Sequence, residues 1–253
     1  ILDKNLYGNP LKNLKLNKKI KFFIGSCDSK VLLKKSIEGC SHVIHLGEIV
    51  GDPAVAHNEK LSIQNNYEAT NTVINECIKN NIQKFIFASS CSVYGFSEKI
   101  CNEKSKLNPV SLYAKCKVAC EQQILSHNLK SFSPTILRLS TVYGDSFRRR
   151  FDLVVNRYVA FALKKKSIKV FGKLNWRPVV SVNDVVKAII LVLGERDKKK
   201  LHRKIYNLGS DTENYTIGQI AKIISIFTNC KLELKNQIED RRSYKVSFSK
   251  IKK

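Results

Sequence analysis

Tyr113-Ala-Lys-Cys-Lys117 sets a tyrosine and a lysine four residues apart, and on a helix that spacing puts both on one face. An ammonium beside a phenol favours the phenolate, and so lowers a tyrosine from its ordinary value of about 10. The pair predicts a general base usable near neutral pH. Its flanks give it context. Upstream, Phe85-Ile-Phe-Ala-Ser-Ser-Cys-Ser-Val-Tyr-Gly95 is an apolar strand running into hydroxyls and a turn. Downstream, Leu137-Arg-Leu-Ser-Thr-Val-Tyr-Gly144 is a second strand ending in the same kind of turn.

The alternation continues on both sides. Segments 21–25 and 43–46 read as strands, 31–37 as a helix, and roughly 59–80 as one long helix with apolar residues at helical spacing. Strand 84–89, helix 110–127 and strand 134–139 follow, with Pro109 at the entry to the Tyr113 helix, where proline is tolerated. Strands and helices alternating at these lengths predict a parallel α/β sheet. Beyond Gly144 the pattern loosens: helix 151–163, strands 168–172 and 176–182, helix 183–193, strand 205–209 and helix 216–227.

A chain of 253 residues fits one large domain, or one domain with a small lobe. No apolar run approaches the roughly 18 residues of a membrane span, and no secretory signal pattern opens the sequence. The eight cysteines form no C-x-x-C pair and no zinc-like spacing with histidine, which predicts reduced thiols acting as small hydrophobes, a cytoplasmic location and no metal site. The net charge of +24 comes from scattered lysines without an aromatic-interleaved RNA motif. It predicts a field that favours anionic substrates rather than a nucleic-acid partner.

Taken together, the strand–hydroxyl, Tyr/Lys helix and strand–Val-Tyr-Gly order resembles the extended short-chain dehydrogenase/reductase family, specifically its nucleotide-sugar epimerases and dehydratases. The resemblance covers nearly the whole chain. It implies a Rossmann-like parallel sheet flanked by helices over residues 1–145, the NAD(P)-binding part. Residues 146–253 would then form a small substrate lobe interleaved with returns to the main sheet. It implies Tyr113 as base, Lys117 as its partner and nicotinamide-ribose ligand, and Ser90 as the hydroxyl that holds the reacting oxygen, with Ser89 its near neighbour. Asp3 matches the acidic residue that hydrogen-bonds the adenosine ribose, and so favours NAD over NADP. Ser26, Cys27, Leu46, Gly47, Asn66, Ser89 and Ser140 fall at other cofactor-facing positions. Ser90, Cys91, Thr141, Arg177 and one or both of Arg241 and Arg242 fall at positions facing a nucleotide-diphosphate sugar, the arginines because a planar guanidinium suits a diphosphate. A homodimer is compatible with the family.

Several positions depart from the family pattern. Glu48 brings a carboxylate to a segment near the dinucleotide pyrophosphate, Ser26 stands where an aspartate often contacts adenine, and Pro178 and Ser181 follow Arg177 in place of the usual aspartate and histidine. Only two residues precede Asp3, and neither G-x-G nor G-x-x-G occurs. The expectation is a fold lacking its first strand and glycine-rich turn, a fragment.

The two residues after Ser90 sort the reaction. Dehydratases of the family carry an Asp–Glu pair there, whereas this chain has Cys91-Ser92, so water elimination is disfavoured. Hydride transfer at a sugar carbinol remains. That fits a UDP-glucose 4-epimerase-like activity, a keto-sugar reductase or, as a non-enzymatic alternative, a catalytically silent or regulatory Rossmann module.

Overall fold

The computed structural model describes residues 1–6, 8, 19–235 and 240–252. In chain order the elements are β1 (Leu2–Asp3), β2 (Phe23–Ile24), α1 (Lys30–Ile37), β3 (His42–His45), α2 (Asp52–His57), α3 (Glu59–Ile63), α4 (Ala69–Lys79), β4 (Lys84–Ser90), α5 (Leu112–Ser126), β5 (Ser133–Leu139) and β6 (Thr141–Tyr143). There follow α6 (Val154–Lys165), β7 (Ser167–Phe171), β8 (Trp176–Ser181), α7 (Val182–Gly194), α8 (Lys198–Leu201), β9 (Lys204–Leu208), β10 (Asn214–Thr216), α9 (Ile217–Thr228) and β11 (Lys231–Lys235).

The central sheet is four-stranded and wholly parallel, in the order β3-β4-β5-β9. Its strands are apolar on both faces, as a sheet covered on both sides must be. Phe85 and Phe87 join one core cluster with residues of α1, α4 and α5, while Ile86 joins another with Val185 of α7 and Leu208. One strand thus feeds two cores by its period of two. β1 and β2 form a separate parallel pair, and among the described strands neither is bonded to β3. A second layer holds β6, β8 and β10, with β8 parallel to β6 and antiparallel to β10. The parallel pair β7–β11 lies against α6 and α9 around Tyr158, Ile168, Val170 and Ile220.

Local chemistry sets the boundaries. Ser111 caps α5 by accepting from the Ala114 N–H at 3.2 Å. Thr216 and Gln219 close a reciprocal capping box on α9. Lys84 donates to the carbonyls of Leu193 at 2.5 Å and Glu195 at 2.7 Å, tying the end of α7 to the sheet.

Two corrections concern elements. The single helix expected over 59–80 is broken: α3 passes through a π turn, Gln64–Glu68, into α4, and the turn carries the buried Asn65 and Asn66. Short elements not expected also appear, namely α2, α8, β6, β10 and β11.

Candidate active site

The carboxyl ends of β4 and β5 open into a cavity of about 330 Å³. Ser90 is the last residue of β4, and its Oγ accepts from the Ser92 N–H at 3.1 Å, opening the 3₁₀ turn Cys91–Tyr94. Gly95 closes that turn at φ 61°, where an added Cβ would collide with the Asn108 carbonyl oxygen, so glycine is required there. Tyr113 stands in the first turn of α5, and Lys117 lies one turn on, its Nζ 5.7 Å from the Tyr113 ring centroid and 4.5 Å from that of Phe87. Both side chains line the cavity.

Of the residues singled out in the sequence, the structure brings Ser90, Tyr113, Lys117, Leu46, Ser140, Thr141, Arg177 and Arg242 around this one space. Others go elsewhere. Ser89 borders the cavity, but its hydroxyl turns inward along the Phe85–Phe87 face and donates to Glu121 Oε1 at 2.5 Å. Cys91 is buried, its thiol directed at the Arg138 carbonyl at 3.2 Å and pushed by burial up to about 12. Asn66 spends both ends of its amide on the backbone of Ile49, each at 2.8 Å, so it pins the loop after β3 rather than facing the cavity. Arg241 is exposed while Arg242 points in, which fixes the register between the two. Asp3 is exposed and accepts from the Asn5 N–H at 2.6 Å; with Ser26, Cys27 and Gly47 it lies outside the cavity lining.

The electrostatics revise the simplest reading of the Tyr/Lys pair. Burial pushes the Tyr113 phenol above its ordinary value, and the Lys117 charge opposes this without overcoming it. Glu48 adds to the effect of burial. This carboxylate does not face the cavity; it lies behind Lys117 in direct ion-pair contact, with the two side chains 2% and 4% exposed. Lys117 also donates to the Ala88 carbonyl. Burial alone would lower the lysine, but Glu48 and Tyr113 outweigh it and hold the ammonium charged.

Of the ring of charge beside Tyr113, the sequence reading named Arg177 and Arg242 and missed Asp52, Arg150, Asp152, Arg157 and Asp240. Arg177 Nη2 meets Asp240 at 2.7 Å, and Arg242 meets Asp240 at 2.6 Å and Asp52 at 2.5 Å. Arg150 chelates Asp152 at 2.5 and 3.0 Å, and Arg157 adds a further guanidinium to the lining. The arginine pairs hold Asp240 far below the usual carboxylate range against the opposing effect of burial. Asp240-Arg-Arg was visible in the sequence, but which acid answers which base is a matter of packing. No helix among the described residues is long and apolar enough to cross a membrane.

Comparison with known proteins decides the family. The family model described as NAD dependent epimerase/dehydratase family matches residues 4–209. The chain belongs to that family. It is 31% identical over 239 residues to the uncharacterized UDP-glucose epimerase YtcB of Bacillus subtilis, covering 88% of this chain and 71% of that protein. It is 27% identical over 250 residues to the UDP-glucuronate 4-epimerase of Thermodesulfobacterium geofontis, covering 96% and 75%. Among solved structures, the UDP-glucose 4-epimerase of Thermotoga maritima with UDP-glucose superposes with a TM-score of 0.86 at 22% identity, over 99% of this chain and 82% of that one. The dTDP-glucose 4,6-dehydratase DesIV of Streptomyces venezuelae reaches the same TM-score of 0.86 at 19% identity, over 99% and 79%. The Rossmann-like α/β fold expected from the sequence is therefore the fold of this family, and the family is one of NAD-dependent enzymes.

Proposed function

We propose that this member of the NAD-dependent epimerase/dehydratase family acts on a nucleotide-diphosphate sugar as a 4-epimerase, by hydride transfer at a sugar carbinol. The observation that carries the reading is the meeting of Ser90, Tyr113 and Lys117 in one cavity with Arg177 and Arg242. A phenol, an ammonium and a hydroxyl around one cavity are a donor set that fits a nicotinamide ribose and a sugar hydroxyl. Bound NAD would supply the hydride acceptor.

The chain's own residues do the rest. Ser90 holds the sugar hydroxyl through its Oγ, and Tyr113 takes that hydroxyl's proton at its phenolic oxygen. Lys117 stabilises the phenolate form in which Tyr113 accepts that proton, and donates to the cofactor ribose. Arg177 and Arg242 take the diphosphate bidentately, exchanging the Asp240 carboxylate for phosphate oxygens. Once the keto sugar has turned over, the hydride would return to its other face and Tyr113 would give the proton back, which completes inversion. The positions after Ser90 support epimerisation over dehydration, because Cys91 is buried against the Arg138 carbonyl and Ser92 is a buried hydroxyl, so neither is a carboxylate acid–base pair. NAD fits the acidic Asp3 better than NADP does.

The test is to incubate the chain with NAD and a panel of UDP- and dTDP-sugars and follow C4 inversion by NMR. Interconversion that falls by about 10²–10⁴-fold in Tyr113→Phe supports the reading, since a positioned base contributes that much. Absence of inversion across the panel, or a Tyr113→Phe variant as fast as the parent, rejects it.

A further inference from the structure

The mechanism above leaves the buried Glu48 carboxylate unused. The Glu48 side chain is 2% exposed and off the cavity lining, and among the described residues its carboxylate oxygens accept no hydrogen bond besides their ion contact with Lys117. A carboxylate so placed costs several kcal/mol to bury unless it is paired, and the Lys117 ammonium is the partner. We propose that Glu48 is a positioning residue: in contact with Lys117 behind the cavity, it is a built-in counter-ion that withholds part of the Lys117 charge from Tyr113. The proposal rests on Tyr113 being the base, and it deepens that reading.

A lone ammonium at the distance of Lys117 favours phenolate, as an opposite charge within about 4–6 Å shifts a partner by about 1–3 units. A carboxylate in contact with the same ammonium opposes that field at Tyr113. The other charged groups around the phenol compensate one another in the same way: Arg150 favours phenolate and Asp52 opposes it. Around Glu48 itself the ionisable neighbours are Lys117, Tyr113, Cys116 and Cys120 on α5 and Cys27 after β2. Lys117 is the cation in contact with it. Removing the Glu48 charge therefore leaves the ammonium to act on Tyr113 alone.

The experiment compares tyrosinate ultraviolet absorbance at about pH 9, one unit below an ordinary phenol, in the parent and in Glu48→Gln, each read against its own Tyr113→Phe partner. The expected result is almost no Tyr113 phenolate in the parent and a substantial fraction in Glu48→Gln, equivalent to a downward shift of about one unit or more. Glu48→Gln/Lys117→Met should return to the parent's low value, because the field comes from the lysine. Equal phenolate in parent and Glu48→Gln overturns the proposal. Should Glu48→Gln not fold, urea unfolding of Lys117→Met and of the double variant decides. A single variant markedly weaker than the double one supports the counter-ion, and additive losses overturn it. These measurements use neither cofactor nor sugar. Failure here leaves the epimerase reading standing, and failure of sugar turnover leaves the titration result standing.

Discussion

Arg138 of β5 and Glu121 of α5 meet side-on beneath the Ser90 strand, Nη2 to Oε2 at 2.6 Å and Nε to Oε1 at 2.9 Å, each side chain 3% exposed. Ser89 donates to the same carboxylate, and Arg138 Nη1 reaches the Tyr94 hydroxyl at 3.0 Å. This network locks the two elements that carry Ser90 and Tyr113. Glu121→Ala should therefore cost about 3–5 kcal/mol, the range for stranding one partner of a buried ion pair. Glu121→Leu/Arg138→Met should recover most of that loss. Urea unfolding checks both.

His45 makes stability depend on pH. It is buried at the end of β3, with Nε2 2.9 Å from Thr70 Oγ1 and its ring stacked on Phe87 at 5.9 Å. Burial, assisted by the Lys117 charge, pulls it down to about 3. Below about 6.5 the unfolded chain gains a proton that the folded chain refuses. Stability is thus fully present above about 6.5 and should fall by up to about 1.4 kcal/mol per pH unit as pH drops from there toward 3. His45→Gln, which keeps a polar partner for Thr70, should flatten that slope; an unchanged slope would show that another group governs it.

Arg177 and Arg242 give a prediction that separates binding from chemistry. If they hold the diphosphate, Arg242→Ala should raise KM for a nucleotide sugar by about 10–100-fold, the equivalent of a charge-assisted hydrogen bond of roughly 1.5–3 kcal/mol. The change in kcat should be much smaller. Arg241→Ala, on an exposed side chain, should leave both parameters near the parent's. Steady-state kinetics of the two variants side by side reads this directly.

The sheet strands were legible because Phe85-Ile-Phe and its counterparts are apolar runs of strand length, and the Tyr113 helix because Pro109 marks its entry. The site was legible in its sequence-local parts, Ser90 and the Tyr113/Lys117 spacing. What stayed hidden depends on contacts between distant segments. Ser89 and Ser90 differ only in which face of β4 each joins. Arg241 and Arg242 are told apart by where Asp240 and Asp52 lie. Glu48 read as a misplaced charge near a pyrophosphate because nothing in the sequence indicates that it turns inward to Lys117. The π turn at Gln64–Glu68 also went unseen, since its residues fit an unbroken helix and only the demand of Asn66 for the Ile49 backbone shows why the turn widens.

The pairing of β5 with β9 reaches across much of the chain, Thr135 opposite Lys204 and Leu139 opposite Leu208. During synthesis, then, β5 leaves the ribosome long before its outer neighbour exists. Until Leu208 emerges, the Ser133–Leu139 segment offers an open, apolar strand edge, the kind of surface that invites pairing with another nascent chain. Residues 243–248 matter for the same reason: Ser243 and Val246 bridge to Phe96 and Cys101, and Phe248 is fully buried. Non-local closure of this sort is slow. A cell making this protein must shelter a half-built sheet until Leu208 has emerged, and yield on overexpression should rise more with cooler growth or added chaperone than with any change at the site itself.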